Sequence, residues 1–235
     1  MRVGAATDPG TVRTVNEDAF HAAGGVYVVA DGMGGHEQGE LASAIAVDVL
    51  SGLSDREVDL RQVRRAVREA HARVRQIPAE SDRRPGTTLT GVVLSEHDGT
   101  PCWIVLNVGD SRTYRFTGGV LEQVTQDHSE VAELVARGLL PVQDAATHPW
   151  RHLVTRVVGG GAGKVDPDLH LLAMSPGDRI VVCSDGLTDE LSDARIEAEL
   201  KAEPDPQAAA ERLVAAALAA GGRDNITVLV VEPRP

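Results

Sequence analysis

The 235-residue sequence predicts an α+β domain built mainly from antiparallel sheets. Two observations carry this. Its periodic segments run strands, helices, strands, helices, strand, rather than alternating strand with helix. Its central strands also follow one another through short turns, which antiparallel pairing allows and parallel crossovers do not. The composition adds to the picture. Apolar residues make up 42% and aromatic residues 3%, so the core must be built from Ala, Val, Leu and Ile. The length suits one large domain over residues 1–235.

A strand at 3–7 is broken by Asp8-Pro9-Gly10. A second, 26–30, runs into Asp31-Gly32-Met33-Gly34-Gly35, where glycines let backbone approach a ligand. A helix over 40–53 places Leu41, Ile45, Val49 and Leu53 on one face, and a helix over 60–77 does so with Val63, Val67, Val74 and Ile77. After a polar, proline-bounded loop at 78–86 come strands at 87–94, 103–108, 113–116 and 120–124. The last two are joined by Thr117-Gly118-Gly119, a hairpin signal. Residues 128–163 read as short helices and loops, and so long a connection inside a domain is usually functional. Strands at 169–173 and 179–183, helices at 193–200 and 206–219, and a strand at 226–231 complete the order. Glu232-Pro233-Arg234-Pro235 reads as the start of a linker.

A net charge of −12 repels phosphate backbones, and the scarcity of rings leaves no stacking platform, so nucleic acid is not an expected partner. Cys102 and Cys183 lie inside apolar runs and read as buried small hydrophobes, with no disulfide framework and no zinc spacing. That fits a reducing cytoplasm. No apolar stretch reaches spanning length and no signal-peptide pattern opens the chain. The cytoplasmic domain of a longer, membrane-tethered protein would read the same way. A monomer is expected.

Four acids share one context. Asp31 ends an apolar strand before Gly32; Asp110 follows the run to Val108 and precedes Ser111; Asp185 follows the run to Cys183 and precedes Gly186; Asp224 precedes Asn225 and the last strand. Any one of them alone is an ordinary turn aspartate. Four converging on one sheet edge would repel one another unless cations lay between them. Carboxylates without accompanying Cys or His suit hard ions such as Mn²⁺ and Mg²⁺, and two such ions can activate a water against a phosphate ester. Arg13 presents a planar fork suited to phosphate oxygens; its bland alternative is a surface pair with Glu17, one helical turn away. Glu17 and Asp18 would join the cation cluster or orient its waters.

Arg13…Asn16-Glu17-Asp18, Asp31-Gly32-Met33-Gly34-Gly35-His36, Gly86-Thr87-Thr88, Val108-Gly109-Asp110-Ser111-Arg112, Ser184-Asp185-Gly186-Leu187 and Gly222-Arg223-Asp224-Asn225 together resemble the successive motifs of the metal-dependent PPM (type 2C) serine/threonine protein phosphatases, in family order and over nearly the whole chain. Met33-Gly34-Gly35-His36 and the compact length resemble the bacterial branch. The resemblance implies a four-layer α-β-β-α sandwich, two mainly antiparallel sheets flanked by helix pairs, with cations at one edge. It implies hydrolysis of phosphoserine and phosphothreonine in proteins by a metal-activated water. Asp31 would bridge two Mn²⁺ or Mg²⁺ ions and the Gly32 carbonyl would complete one of them. Asp185 and Asp224 would hold the first ion, and Asp110 with Asp185 a weaker third. Glu17 and Asp18 would act through metal waters, and Arg13 would clamp the substrate phosphate. Residues 128–163 resemble the family's variable flap, in which His148 and His152 lie. Partners implied are phosphorylated proteins, Hanks-type Ser/Thr kinases and their targets. Some members carry His where Met33 stands, a candidate acid for the leaving group; with Met33 there, a metal-bound water is expected to protonate it, and His36 is expected to shape the turn. The alternatives are a catalytically inactive phosphate-binding scaffold of the same fold and a phosphatase of anti-sigma-factor antagonists.

Overall fold

The computed structural model describes residues 1–34, 37–79, 84–145 and 147–233. In chain order its elements are β1 (Arg2–Asp8), β2 (Asp18–Ala23), β3 (Val26–Met33), α1 (Glu37–Ser51), α2 (Leu60–Val74), β4 (Gly86–Thr87), β5 (Leu89–His97), β6 (Thr100–Val108), β7 (Arg112–Thr117) and β8 (Val120–Gln123). There follow α3 (Glu130–Ala136), α4 (Val142–Ala145), β9 (Val158–Gly159), β10 (Asp168–Ala173), β11 (Arg179–Cys183), α5 (Asp185–Thr188), α6 (Asp193–Ala202), α7 (Pro206–Ala220) and β12 (Ile226–Glu232). One sheet has the order β1-β12-β11-β7-β8; the other runs β10-β6-β5-β3-β4-β9, with β2 also paired to β3. The strand pairs are antiparallel throughout.

The two-residue period of the strands builds the layers. In β3, Val26, Val28 and Ala30 face α1 and α2, while Tyr27 and Val29 face the opposite sheet. In β11, Val181 and Cys183 pack under α6 and α7, while Ile180 and Val182 point inward. β12 repeats this, with Val228 and Val230 outward and Leu229 and Val231 inward. Three apolar layers therefore separate four layers of structure, as expected of an α-β-β-α sandwich. The layer between the sheets holds the largest buried ring, Trp103, edge-on to Tyr27 at 5.9 Å. Both cysteines are buried and unpaired.

Local chemistry sets the element ends. Asp59 caps α2 reciprocally with Gln62, and Asp205 caps α7 before Pro206. Gly118 and Gly119 both take positive φ, the mirror-image turn that a two-residue hairpin requires.

Several expectations are corrected. β2 carries no clear period and was not foreseen. α1 buries Ala42, Ala46 and Leu50, whereas Leu41 is 47% exposed: small residues, rather than the leucine stripe, face the sheet and let the helix approach it. Asp31 does not end its strand, because β3 continues through Gly32 to Met33 by pairing with β4. Asp185 opens the short helix α5 instead of closing β11. The segment 128–163 is not wholly helix and loop, since Val158 and Gly159 rejoin the sheet as β9. His36, parts of the loop at 78–86 and the end of the expected linker lie outside the described residues. Among the described residues, no helix is long and apolar enough to cross a membrane.

Candidate functional site

A cleft of about 1040 Å³ opens where the ends of β3, β11 and β12 meet the loop after β6. Its lining includes Arg13, Glu17, Asp31, Gly32, Asp110, Asp185 and Asp224, so seven of the eight predicted site residues come together there; Asp18 lies just behind them.

Asp18 and Asp31 are direct cross-strand partners of β2 and β3. The Asp31 amide donates to Thr88 Oγ1 at 2.9 Å, and its carbonyl accepts from the Thr88 amide at 2.9 Å and Thr87 Oγ1 at 2.8 Å. Gly32 has no room for a side chain, because a Cβ there would stand 2.2 Å from the Gly39 carbonyl oxygen. Gly186 is fixed likewise, since a Cβ there would stand 2.0 Å from the Asn225 carbonyl oxygen. The glycine after each of these aspartates thus lets a second chain segment lie against the backbone that carries it.

Asp224 is set by Asn225, which is buried and donates from Nδ2 to the carbonyls of Pro9 (3.0 Å) and Val15 (2.9 Å) while its Oδ1 accepts from the Glu17 amide (2.8 Å). One side chain so fastens the Arg13–Asp18 loop to the Asp224 loop. Arg13 donates to Asp224 Oδ2 at 2.7 Å, so its ion-pair partner is Asp224 rather than the Glu17 that helical spacing indicated. Asp110 follows Gly109, whose amide donates to His128 Nδ1 at 3.0 Å and whose carbonyl accepts from the His128 amide at 2.9 Å; His128 Nε2 lies 3.1 Å from Asp168.

The electrostatics are those of crowded carboxylates. Burial and the neighbouring acids Asp185, Asp18 and Asp110 hold the Asp31 carboxyl well above its usual range. Burial and the negative charges nearby lift Asp185 to about 6, Asp18 to about 7 and Asp110 to about 8. Asp31 and Asp185 lie close enough that each carboxyl acts on the other. Asp18 Oδ2 accepts from Ser184 Oγ at 2.8 Å, and its Oδ1 is buried without a partner. Crowded buried carboxyls and an orphaned buried oxygen mark where positive charge belongs, and an all-oxygen set fits a hard divalent cation. Among the described residues, no three His, Cys, Asp or Glu side chains are already drawn into a closed ligand cage.

Sequence reading missed Glu190 and Asp189, and it missed the partners of two residues it had named, His152 and Asn225. Glu190 accepts from the amide, Nε and Nη2 of Arg223 at 3.0, 2.8 and 3.2 Å, bracing the loop before Asp224. Asp189 and His152 line the cleft as a pair, with 3.4 Å between Oδ2 and Nδ1. Asn225 carries the staple described above. The only signal for Glu190 and Asp189 was their place directly after Asp185-Gly186-Leu187-Thr188; their partners are remote in sequence.

The protein phosphatase 2C family model matches residues 11–220. The chain is 38% identical over 237 residues to the serine/threonine protein phosphatase PstP of Mycobacterium tuberculosis, covering 99% of this chain and 45% of that protein, so it spans about half the length of that relative. It is 35% identical over 246 residues to the serine/threonine phosphatase stp of Listeria monocytogenes, covering 96% of this chain and 93% of that protein. Among solved structures, the PPM Ser-Thr phosphatase MsPP of Mycobacterium smegmatis, in complex with cacodylate, superposes with a TM-score of 0.89 at 40% identity over 100% of this chain and 99% of that one. The catalytic domain of PstP with two manganese ions gives 0.85 at 36% over 97% and 96%. Fold, motif order and sequence agree over almost all of its length: the chain belongs to the protein phosphatase 2C family.

Proposed function

We propose that this chain hydrolyses phosphoserine and phosphothreonine in proteins, opposing Ser/Thr kinases, at a centre of two divalent cations with a weaker third. The observation that carries this is the convergence of Asp31, Asp110, Asp185 and Asp224 on one acidic cleft, beside Arg13. Mn²⁺ or Mg²⁺ bound there would supply an activated water and neutralise phosphate charge. The two manganese ions of the PstP structure support the choice of ion.

Asp31 would bridge the two principal ions, with the Gly32 carbonyl, Asp185 and Asp224 as further ligands and Asp110 with Asp185 at the third. Glu17 and Asp18 would hold waters around them. Arg13 now rests on Asp224; with that carboxylate committed to a cation, the guanidinium is free to take the substrate phosphate by its fork. The expected flap at 128–163 supplies one wall through Thr147, Arg151, His152 and Val154.

The deciding experiment is hydrolysis of a phosphoserine peptide. Turnover should appear with Mn²⁺, be lower with Mg²⁺ and vanish after EDTA, returning when Mn²⁺ is restored. Full turnover in EDTA refutes the metal mechanism, and peptide binding without turnover establishes the inactive scaffold instead.

A further inference from the structure

We propose that His152 is the proton donor to the departing serine or threonine oxygen, held in place by Asp189; this rests on the phosphatase reading above. The reaction makes a bond from water oxygen to phosphorus, with one proton of that water released to solvent, and breaks the bond from phosphorus to the ester oxygen. That oxygen leaves as an alkoxide, which needs a proton at the moment of cleavage. It takes it from His152 Nε2, and the imidazole then regains a proton from solvent water. No oxidant, reductant or further reactant enters.

This replaces the metal-bound water expected from the sequence with a side chain, and the groups lining the cleft narrow the choice of side chain. The guanidinium groups of Arg13, Arg151 and Arg223 do not release protons. Met33 has none to give. The Thr88 hydroxyl is engaged with the Asp31 amide and with Ser111 Oγ at 2.7 Å. Glu190 is taken up by Arg223. The aspartates of the floor are those assigned to cations. Among the described lining residues His152 is the one imidazole, the side chain most used for proton transfer near neutral pH.

Placement supports the role. Asp189 lies one helical turn beyond Asp185, and its amide donates to the Asp185 carbonyl at 2.8 Å, so the two carboxylates share one face of a fixed turn. Asp185 reaches the floor while Asp189 reaches the wall and meets His152 Nδ1. With Nδ1 facing a carboxylate, Nε2 is the nitrogen left for substrate. The turn that carries His152 is itself braced: His148 stacks edge-on to Trp150 at 5.4 Å, and the Arg151 amide donates to the His148 carbonyl at 3.1 Å. The other charges around the pair are Asp110, Asp185, Arg112, Arg151 and Arg223. The His152 side chain is 51% exposed, so solvent can restore its proton.

The test compares two leaving groups in Mn²⁺. A phosphoserine peptide needs the proton; p-nitrophenyl phosphate, whose phenolate is stable, does not. His152→Gln should lower the ratio of peptide kcat to p-nitrophenyl phosphate kcat by about 10²-fold, the usual contribution of a positioned general acid. Asp189→Asn should lower the same ratio by less. Added imidazole should restore part of the peptide rate to His152→Ala. Mn²⁺ titration by calorimetry should give the same number of ions in His152→Gln as in the unsubstituted protein. Equal losses on both substrates, loss of an ion, a change in KM alone, or an unchanged ratio each overturn the proposal. A ratio that falls in His36→Gln but not in His152→Gln does so too. An unsubstituted protein inactive on both substrates would refute the phosphatase reading itself, which separates the two failures.

Discussion

Arg13→Ala tests whether the guanidinium serves substrate or merely balances charge. Its contact with Asp224 is a single 2.7 Å ion pair between side chains that are 53% and 40% exposed. Such pairs are worth about 0.2–1 kcal/mol and are screened by salt. For a domain of this size the loss lowers Tm by no more than about 2–4 °C. Asp224 gains freedom when its partner is removed, so Mn²⁺ should bind as well as before or up to about fivefold more tightly, the affinity equivalent of that same pair.

The kinetic effect has a different origin. A bidentate, charge-assisted contact to phosphate contributes roughly 1.5–3 kcal/mol, so kcat/KM on a phosphoserine peptide should fall about ten- to a hundred-fold. Arg13→Lys keeps the charge without the fork and should recover only part of this. Three readouts on one variant settle the matter: a thermal melt, Mn²⁺ calorimetry and steady-state kinetics. An Arg13→Ala protein with unchanged kcat/KM and a slightly lower Tm would leave the ion pair as the whole of Arg13's role. Weaker Mn²⁺ binding would refute the idea that Arg13 and a cation compete for Asp224.

Asp31→Asn removes a bridging charge and should abolish turnover, whereas Asp110→Asn should keep two Mn²⁺ sites by calorimetry and slow catalysis; loss of both tight sites in the Asp110 variant contradicts this assignment. The metal-free protein should lose stability as pH rises from 7 to 8. Asp18, Asp31 and Asp110 have folded pKa values raised above their unfolded ones, so the folded state holds protons that the unfolded state has released. The buried histidines His71 and His128 are pushed down and have made most of their opposing change by pH 7. Melts at both pH values with and without Mn²⁺ check this, and a stabilisation by Mn²⁺ that does not grow with pH refutes it. Glu190→Ala should loosen the loop before Asp224; the carboxylate is only 3% exposed but is covered by an exposed arginine, which trims the cost to about 1 kcal/mol, read as a lower Tm and weaker Mn²⁺ binding.

The layers were legible because strand alternation writes itself into Val26–Ala30 and Ile226–Val231, whose two faces meet two different cores. Asp31, Asp110, Asp185 and Asp224 were legible because each abuts such a run with a small residue beside it. α1 misled because Leu41 has the right spacing but a sheet that lies close accepts Ala42 and Ala46 instead. β2 was hidden because Asp18–Ala23 has neither alternation nor β-branched residues, and its strand state comes from pairing with β3. Arg13 pairing with Asp224, Glu190 with Arg223 and His152 with Asp189 span 211, 33 and 37 positions. Such pairs depend on how the sheets, helices and loops stack, which no local pattern encodes.

Stability and chemistry occupy different parts of the same strands. β3, β11 and β12 contribute residues with no exposure at all, among them Val28, Val29, Val181, Val182 and Val230. The cleft uses only the ends of these elements, where Gly32 and Gly186 permit close approach and repulsion among carboxylates is confined to one edge. The wall that carries His152 is made differently: α4 buries no residue and α3 buries only Val131. A region with so few buried apolar contacts sits at the low-stability end of the molecule. The acidic floor is therefore rigid by virtue of the core beneath it, while α3 and α4 at the outer side of the wall can shift without cost to that core. This division fits a site in which the charge-bearing groups must stay fixed and the surface meeting the rest of the substrate must adapt.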